Sequence, residues 1–100
     1  MTIKVEKNDD GVSIILAERF DFESVGPFRK SYESLSDLKS GPVILDFRDT
    51  RYIDSSALGM LINARSFFEK NSVKMKLINT NDQIKKIFSI SRFDKKFEIS

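Results

Sequence analysis

The spacing of hydrophobic residues along this chain changes several times, from every second residue to every third or fourth residue and back. Alternation or a short apolar run predicts a strand, and spacings of three and four predict a helix. The predicted strands are 2–7, 12–17, 43–47, 73–77 and 97–99, and the predicted helices are 24–37, 57–70 and a third after the caps at 79–82. This order, β-β-α-β-α-β-α-β, predicts an α/β fold with a mixed, mostly parallel sheet of four to five strands and helices packed on it.

Local signals refine this order. The turn from Asn8 to Gly11 predicts that the first two strands form an antiparallel hairpin. Ser24 is a candidate N-cap for the first helix, with Pro27 in its first turn. Ser40–Pro42 is predicted to interrupt regular secondary structure between the first helix and the next strand. The nearly continuous apolar run Val43–Phe47 predicts a central strand that is buried on both faces.

Length and composition restrict the function. A chain of 100 residues predicts one domain, residues 1–100. Cysteine and histidine are both absent, which excludes disulfides, thiol nucleophiles, histidine bases and His/Cys zinc sites. The sequence also lacks a Gly-x-Ser-x-Gly motif and a phosphate-binding glycine-rich loop. We therefore expect no catalytic residue, no metal site and no cofactor, and a binding protein rather than an enzyme.

Charge is unevenly distributed, although the net charge is only +2. Residues 1–69 carry a net charge of −3, and residues 70–100 carry +5. The basic end is either a solvated face that protects a sheet edge or a docking surface for an acidic partner. Its lysines alternate with core positions and lack stacking aromatics, so direct nucleic-acid binding is not expected; they are Lys74, Lys76, Lys85, Lys86, Lys95 and Lys96.

The N-terminal residues do not resemble a signal peptide, because they alternate and include an acidic side chain. Nor does any apolar stretch reach the ~18 residues typical of a membrane span. We therefore expect a cytoplasmic protein without a membrane span.

The junction after the central strand is the candidate site, because ligands of parallel sheets bind beyond the carboxyl ends of strands. There the polar segment Asp49–Asp54 leads into Ser55 and Ser56, which precede the second helix. One interpretation is that Asp54, Ser55 or Ser56 caps the helix. The other is phosphorylation, since a helix N-terminus stabilises the ~1.5 to 2 negative charges of a phosphoryl group. Capping and phosphorylation do not exclude each other, because Ser55 and Ser56 provide two hydroxyls.

Tyr52–Leu61, read as Tyr-Ile-Asp-Ser-Ser-Ala-Leu-Gly-Met-Leu, resembles the signature of STAS domains. It is most similar to bacterial anti-sigma factor antagonists, whose pattern is Asp-Ser-(Ser/Thr)-Gly-Leu-Gly. Arg19–Phe22 resembles the Gly-x-Leu-Asp segment of that family, and Val43–Phe47 resembles its central strand. The resemblance covers residues 3–99 and implies the STAS fold.

The resemblance also implies a partner switch. In this family, the unphosphorylated domain binds an anti-sigma factor that is also a serine kinase with a histidine-kinase-like ATPase fold, which frees a sigma factor. Phosphorylation of the motif serine ends the complex, and a metal-dependent serine phosphatase reverses it. The sequence leaves the final target open, and the alternative is a STAS subunit that binds without phosphorylation in a larger assembly such as a transport complex.

Carried over by position, the phosphoacceptor is Ser55, with Ser56 as the second candidate. The resemblance implies a partner-binding site of Asp21, Asp54, Ser55, Ser56 and Ala57. Ala57 stands where the family motif has glycine, which leaves less backbone freedom where the kinase approaches. We expect the terminal helix common in the family to be short or absent here, and a homodimer is one way to cover the surface that this would expose.

Overall fold

The computed structural model describes residues 3–8, 11–38 and 41–100. Its strands are β1 (Lys4–Asn8), β2 (Gly11–Ile15), β3 (Arg19–Phe20), β4 (Val43–Asp46), β5 (Tyr52–Ile53), β6 (Met75–Ile78) and β7 (Glu98–Ile99). Its helices are α1 (Val25–Glu33), α2 (Ser55–Glu69) and α3 (Asp82–Ile90), with short 3₁₀ helices at Phe22–Ser24 and Phe93–Lys95.

Five strands form the main sheet, in the order β1-β2-β4-β6-β7. β1 is antiparallel to β2, and the other neighbours are parallel. This confirms the α/β class and the mixed, mostly parallel sheet. The hairpin is also confirmed, because Asn8 pairs with Gly11. The predicted turn residues Asp9 and Asp10, and Ser40 of the predicted break, lie outside the described residues.

All three helices cover one face of the sheet. The crossovers β2-α1-β4, β4-α2-β6 and β6-α3-β7 step in the same direction, so right-handed connections place their helices on the same side. Between the sheet and the helices lies a phenylalanine-rich core, which includes Phe20, Phe28, Phe47, Phe68 and Phe88. Several of these rings meet edge to face, the arrangement that aromatic quadrupoles favour.

The other face of the sheet is open, which corrects the prediction that the central strand is buried on both faces. In β4, Val43 and Leu45 point into the core, whereas Ile44 is partly exposed. Asp46 is also on the open side, where it is buried and accepts a hydrogen bond from Arg48 Nε. An apolar run therefore did not distinguish a strand covered on both faces from one covered on a single face.

The first helix is shorter than predicted, and Ser24 does not cap it through its side chain. The three residues before it form a 3₁₀ turn whose N-cap is Asp21. After Glu33 the chain continues in turns, where the Ser34 hydroxyl donates to the Ser31 carbonyl at 2.7 Å. Such local side-chain bonds compete with the helical backbone pattern.

Two very short strands, β3 and β5, were not predicted. They form a separate parallel ladder in which Arg19 pairs with Tyr52 and Phe20 pairs with Ile53. The predicted polar connection 49–54 thus contains a strand. This ladder aligns the loop after β2 with the loop after β4.

Candidate functional site

The candidate site lies beyond the carboxyl ends of β2 and β4, where the β3–β5 ladder ends. Because Phe20 and Ile53 are paired, the next residues, Asp21 and Asp54, leave the ladder together. Asp21 then starts the 3₁₀ turn before α1, and Asp54 starts α2. The ladder thus brings together two acidic residues that are 33 positions apart in the sequence.

Asp54 is the N-cap of α2 and also joins the two loops. One carboxylate oxygen, Oδ1, accepts from the Ala57 backbone N–H at 3.2 Å. The other, Oδ2, accepts from the Phe22 backbone N–H at 3.3 Å. Of the three candidate caps considered from sequence, Asp54 therefore takes the position. Its charge lies at the helix end where negative charge is stabilised.

Asp21 organises the neighbouring loop and is 8% exposed. Its Oδ1 accepts from the Glu23 backbone N–H at 3.1 Å, and its Oδ2 accepts from Arg19 Nε at 3.1 Å. The Asp21 backbone N–H donates to Ser24 Oγ, which completes a capping box around the 3₁₀ turn. Both site carboxylates thus accept hydrogen bonds from backbone N–H groups.

Ser55 and Ser56 are the first two residues of α2. Ser55 is exposed and Ser56 is partly exposed. Within the described ranges, no side-chain hydrogen bond of either serine is found, and neither is needed as the cap. Ala57 is fully buried in the core. Of the five predicted site residues, Ser55 is thus the one whose side chain is most accessible to another protein.

An exposed aromatic and cationic surface surrounds this helix start. The Phe22 side chain is 73% exposed and Tyr52 is 44% exposed. The Arg19 guanidinium lies over the Tyr52 ring, 4.4 Å from its centroid, while it also pairs with Asp21. Tyrosine and arginine are enriched among the residues that dominate protein–protein binding energy. Sequence reasoning did not select Arg19, Phe22 or Tyr52 as interface residues.

A second polar cluster at the same sheet edge was also missed. Asp46 is 4% exposed, and its two oxygens accept from the backbone N–H and Nε of Arg48, both at 2.9 Å. Asn79 Nδ2 donates to the same carboxylate at 3.0 Å. The sequence feature that could have indicated this cluster is an aspartate that ends an apolar strand and is followed two residues later by an arginine.

Between α1 and α2 lies a groove of about 310 Å³, lined in part by Val25, Tyr32 and Met60. Tyr32 packs edge to face on Phe28 and Phe68. Burial raises the pKa of the Tyr32 hydroxyl above its usual 10.0, and the nearby Arg29 charge acts in the opposite direction. Tyr32 is therefore a neutral packing residue near neutral pH.

The described part of the chain contains no group of three or more acidic, histidine or cysteine residues arranged to hold a metal ion. Among the described helices, none has the length and apolar character required to cross a membrane.

Comparison with known proteins identifies the family. The STAS domain pattern matches residues 2–100. A STAS-domain containing protein of Pseudomonas aeruginosa (strain UCBPP-PA14) is 34% identical over 102 residues, which covers the whole of both chains. The chain belongs to the STAS domain family.

Solved structures show the same STAS fold at low sequence identity. An anti-sigma-factor antagonist domain protein from Planctomyces limnophilus matches 97% of this chain and 87% of its own with a TM-score of 0.85 and 12% identity. The anti-sigma factor antagonist SpoIIAA in its unphosphorylated form matches 99% of this chain and 87% of its own with a TM-score of 0.74 and 17% identity. The phosphorylated form of the Bacillus SpoIIAA matches 99% and 91% with a TM-score of 0.74 and 18% identity. This likeness shows that the chain shares the fold of these proteins.

Proposed function

We propose that this STAS domain is a phosphorylation-controlled regulator in which Ser55 is the modified residue. The observation that carries the proposal is an exposed hydroxyl at the first position of α2, beside a cap position already filled by Asp54. Modification of Ser55 therefore leaves the Asp54 cap in place. Ser56, which is less exposed, is the second candidate.

In its unphosphorylated form, the domain binds an anti-sigma factor that is also a serine kinase with a histidine-kinase-like ATPase fold. This binding relieves the inhibition of a sigma factor or of another target. The contact surface is the one around Ser55, with Tyr52, Phe22 and Arg19 as its exposed anchors. Support comes from the family membership and from the likeness in fold to SpoIIAA.

Phosphorylation then ends this binding. Ser55 Oγ attacks the γ-phosphorus of ATP held by the kinase, the bond to the β,γ-bridging oxygen breaks, ADP leaves, and the hydroxyl proton passes to a base of the kinase. A metal-dependent serine phosphatase restores the hydroxyl, because water takes the phosphoryl group away as inorganic phosphate. Metal and nucleotide belong to these partners, so this chain acts as substrate and ligand rather than as an enzyme.

The energetics of release do not require a change of fold. A phosphate on Ser55 adds about −1.5 to −2 charges next to the Asp54 carboxylate. A partner surface that fits the neutral hydroxyl would lose a hydrogen bond, worth about 1–3 kcal/mol, and would bury an uncompensated charge at a cost of several more. Moving a complex from mostly bound to mostly free takes about 5.5 kcal/mol, or ~10⁴-fold in affinity. These two costs together reach that value.

The direct test is to incubate the full chain with ATP, Mg²⁺ and the serine-kinase-like protein of its own organism, and to locate phosphate by mass spectrometry. We expect one phosphate on the parent chain and on Ser56→Ala, and none on Ser55→Ala. Phosphate on Ser56 alone would assign the site to the second serine. No phosphate with a kinase that binds the chain would favour the alternative, a STAS subunit that binds without modification in a larger assembly.

Binding is measured next, by calorimetry with the same kinase and without nucleotide. We expect the Ser55→Asp variant to bind at least about tenfold more weakly than the parent, although one carboxylate carries less charge than a phosphate. Ser66→Asp is the matched control, because Ser66 is an exposed serine of the same helix, about three turns from Ser55. Equal weakening by both variants would contradict a local switch at Ser55.

Three further statements complete the proposal. We infer that residues 1–100 act as a single STAS unit, since the family pattern extends over residues 2–100. We place the regulator in the cytoplasm, where an ATP-dependent kinase acts. A homodimer remains part of the proposal, and sedimentation of the purified chain tests it.

A further inference from the structure

The end of the sheet opposite Ser55 carries a groove that the proposed switch does not use. It lies between the last turns of α2, the start of β6 and the residues before β7, and has a volume of about 240 Å³. β4 and β6 are parallel, so both strands begin at the same end of the sheet, and the groove lies at that end. Ser55 lies at the opposite end, beyond the point where β4 terminates. Ser55 lies ~15 Å along α2 from Arg65, which lines the groove.

Four cations line this groove, and the described residues balance only two of them. Arg65 pairs with Glu69 at 3.0 Å, and Lys76 pairs with Glu98 at 3.3 Å. For Lys74 and Lys96, the described ranges contain no acidic partner within 4.0 Å, and both side chains are exposed. The groove therefore has two unpaired positive charges.

The floor of the groove is apolar and lies beside an incomplete strand pair. Met75 is 7% exposed and Phe97 is 6% exposed, and the Arg65 guanidinium lies 5.8 Å from the centre of the Phe97 ring. β7 pairs with β6 only at Lys76 and Leu77. Met75, the first residue of β6, thus has no strand partner on the side of β7, and Phe97, the residue before β7, lines the groove with it.

We propose that this groove binds an acidic, extended segment of a partner protein, with carboxylates at Lys74 and Lys96 and apolar side chains toward Met75 and Phe97. The excess positive charge of residues 70–100 is the reason for the choice of an acidic partner. The volume is below the ~300 Å³ at which small-molecule sites begin, which favours a strand-like segment over an enclosed ligand. Single-stranded nucleic acid is disfavoured because Phe97 is too buried to stack with a base.

The test uses a fluorescein-labelled ten-residue peptide of alternating glutamate and valine, with fluorescence anisotropy as the readout. Reference probes are the same peptide with lysine in place of glutamate and a ten-nucleotide single-stranded RNA. The variant is the double reversal Lys74→Glu/Lys96→Glu. Its matched control is Lys85→Glu/Lys86→Glu, which changes the net charge equally at two exposed positions of α3 outside the groove.

We expect saturable binding of the acidic peptide, about tenfold weakening by the groove variant and less than about twofold by the control. We also expect no effect of Ser55→Asp on this binding, so the result is separate from the outcome of the proposed switch. Circular dichroism checks that each variant is folded. The proposal is overturned if the acidic peptide does not bind, or if both charge reversals weaken its binding equally. It is also overturned if the RNA binds at least as tightly as the acidic peptide and Lys74→Glu/Lys96→Glu abolishes that RNA binding.

Discussion

Asp46 is the last residue of β4 and Asp54 directly follows β5, yet the surroundings of the two carboxylates differ. The Asp46 carboxylate is almost fully buried and receives side-chain hydrogen bonds from Arg48 and Asn79, with Arg48 also forming an ion pair at 2.9 Å. The Asp54 carboxylate is half-buried and receives its two bonds from backbone N–H groups, those of Phe22 and Ala57.

The difference separates a structural cluster from the cluster that we propose to be regulatory. Around Asp46 the charge is neutralised by a guanidinium, and the polar groups face one another. Around Asp54 the described residues provide no cationic side chain within 4.0 Å, so its charge is balanced only by the start of α2. A phosphate at the first cluster would meet the Arg48 guanidinium, whereas at the second, to which Ser55 is adjacent, no cationic side chain of the described residues lies within 4.0 Å of Asp54.

The largest effect on stability is expected from Asp46→Ala. This change leaves Arg48 and Asn79 without their acceptor, and we expect the free energy of unfolding to fall by about 2–3 kcal/mol. Urea denaturation measures it. Asp49→Ala, at an exposed position three residues later, is the control and should change stability by less than about 0.5 kcal/mol. If the two variants lose the same amount, the Asp46 cluster is not a structural unit.

A smaller loss is expected from Asp54→Ala, about 1 kcal/mol, because α2 loses its N-cap. Asp54→Asn keeps an oxygen at the cap and removes the charge, so its stability should stay within a few tenths of a kcal/mol of the parent. Comparison of the two variants by urea denaturation separates the cap from the charge. A large loss in Asp54→Asn would mean that the charge itself, and not only the cap oxygen, stabilises this end of the fold.

Alkaline pH perturbs the helical layer through Tyr32. Burial raises the pKa of this hydroxyl in the folded chain above its ordinary value of 10.0. Above pH 10 the unfolded chain loses the proton while the folded chain still holds it, so stability is complete below that pH and falls as pH rises toward the folded pKa. Denaturation midpoints between pH 9 and about 11 should fall more steeply for the parent than for Tyr32→Phe. Equal slopes would show that Tyr32 ionises equally in both states.

The sequence predicted those features that depend on long or strongly periodic segments. The core stripe of α2, the pairing of β1 with β2 and the position of Ser55 at a helix start all follow from local patterns. The two-residue strands β3 and β5 could not be predicted in this way, because two residues have no measurable period. Their pairing depends on the approach of two loops that are distant in the chain.

The Asp46 cluster illustrates the same limit for side chains. Asp46 and Asn79 are 33 residues apart, and they meet only because β4 and β6 are neighbours in register. A polar residue that ends an apolar strand gives no indication of which later loop will supply its partner. Asp54 was easier to place, since its cap is formed with a residue only three positions ahead.

The smallest stability effect, and the sharpest test of the comparison, is expected from Ser55→Ala. The serine is exposed and is not the cap, and alanine is the better helix former, so the free energy of unfolding should change by less than about 0.5 kcal/mol. Its capacity to accept phosphate should nevertheless be lost completely. Urea denaturation and phosphorylation by the kinase are measured on the same preparation, with Ser56→Ala in parallel. A loss of stability larger than that of Asp54→Ala would mean that the Ser55 hydroxyl holds the fold, and the division between a structural and a regulatory cluster would then fail.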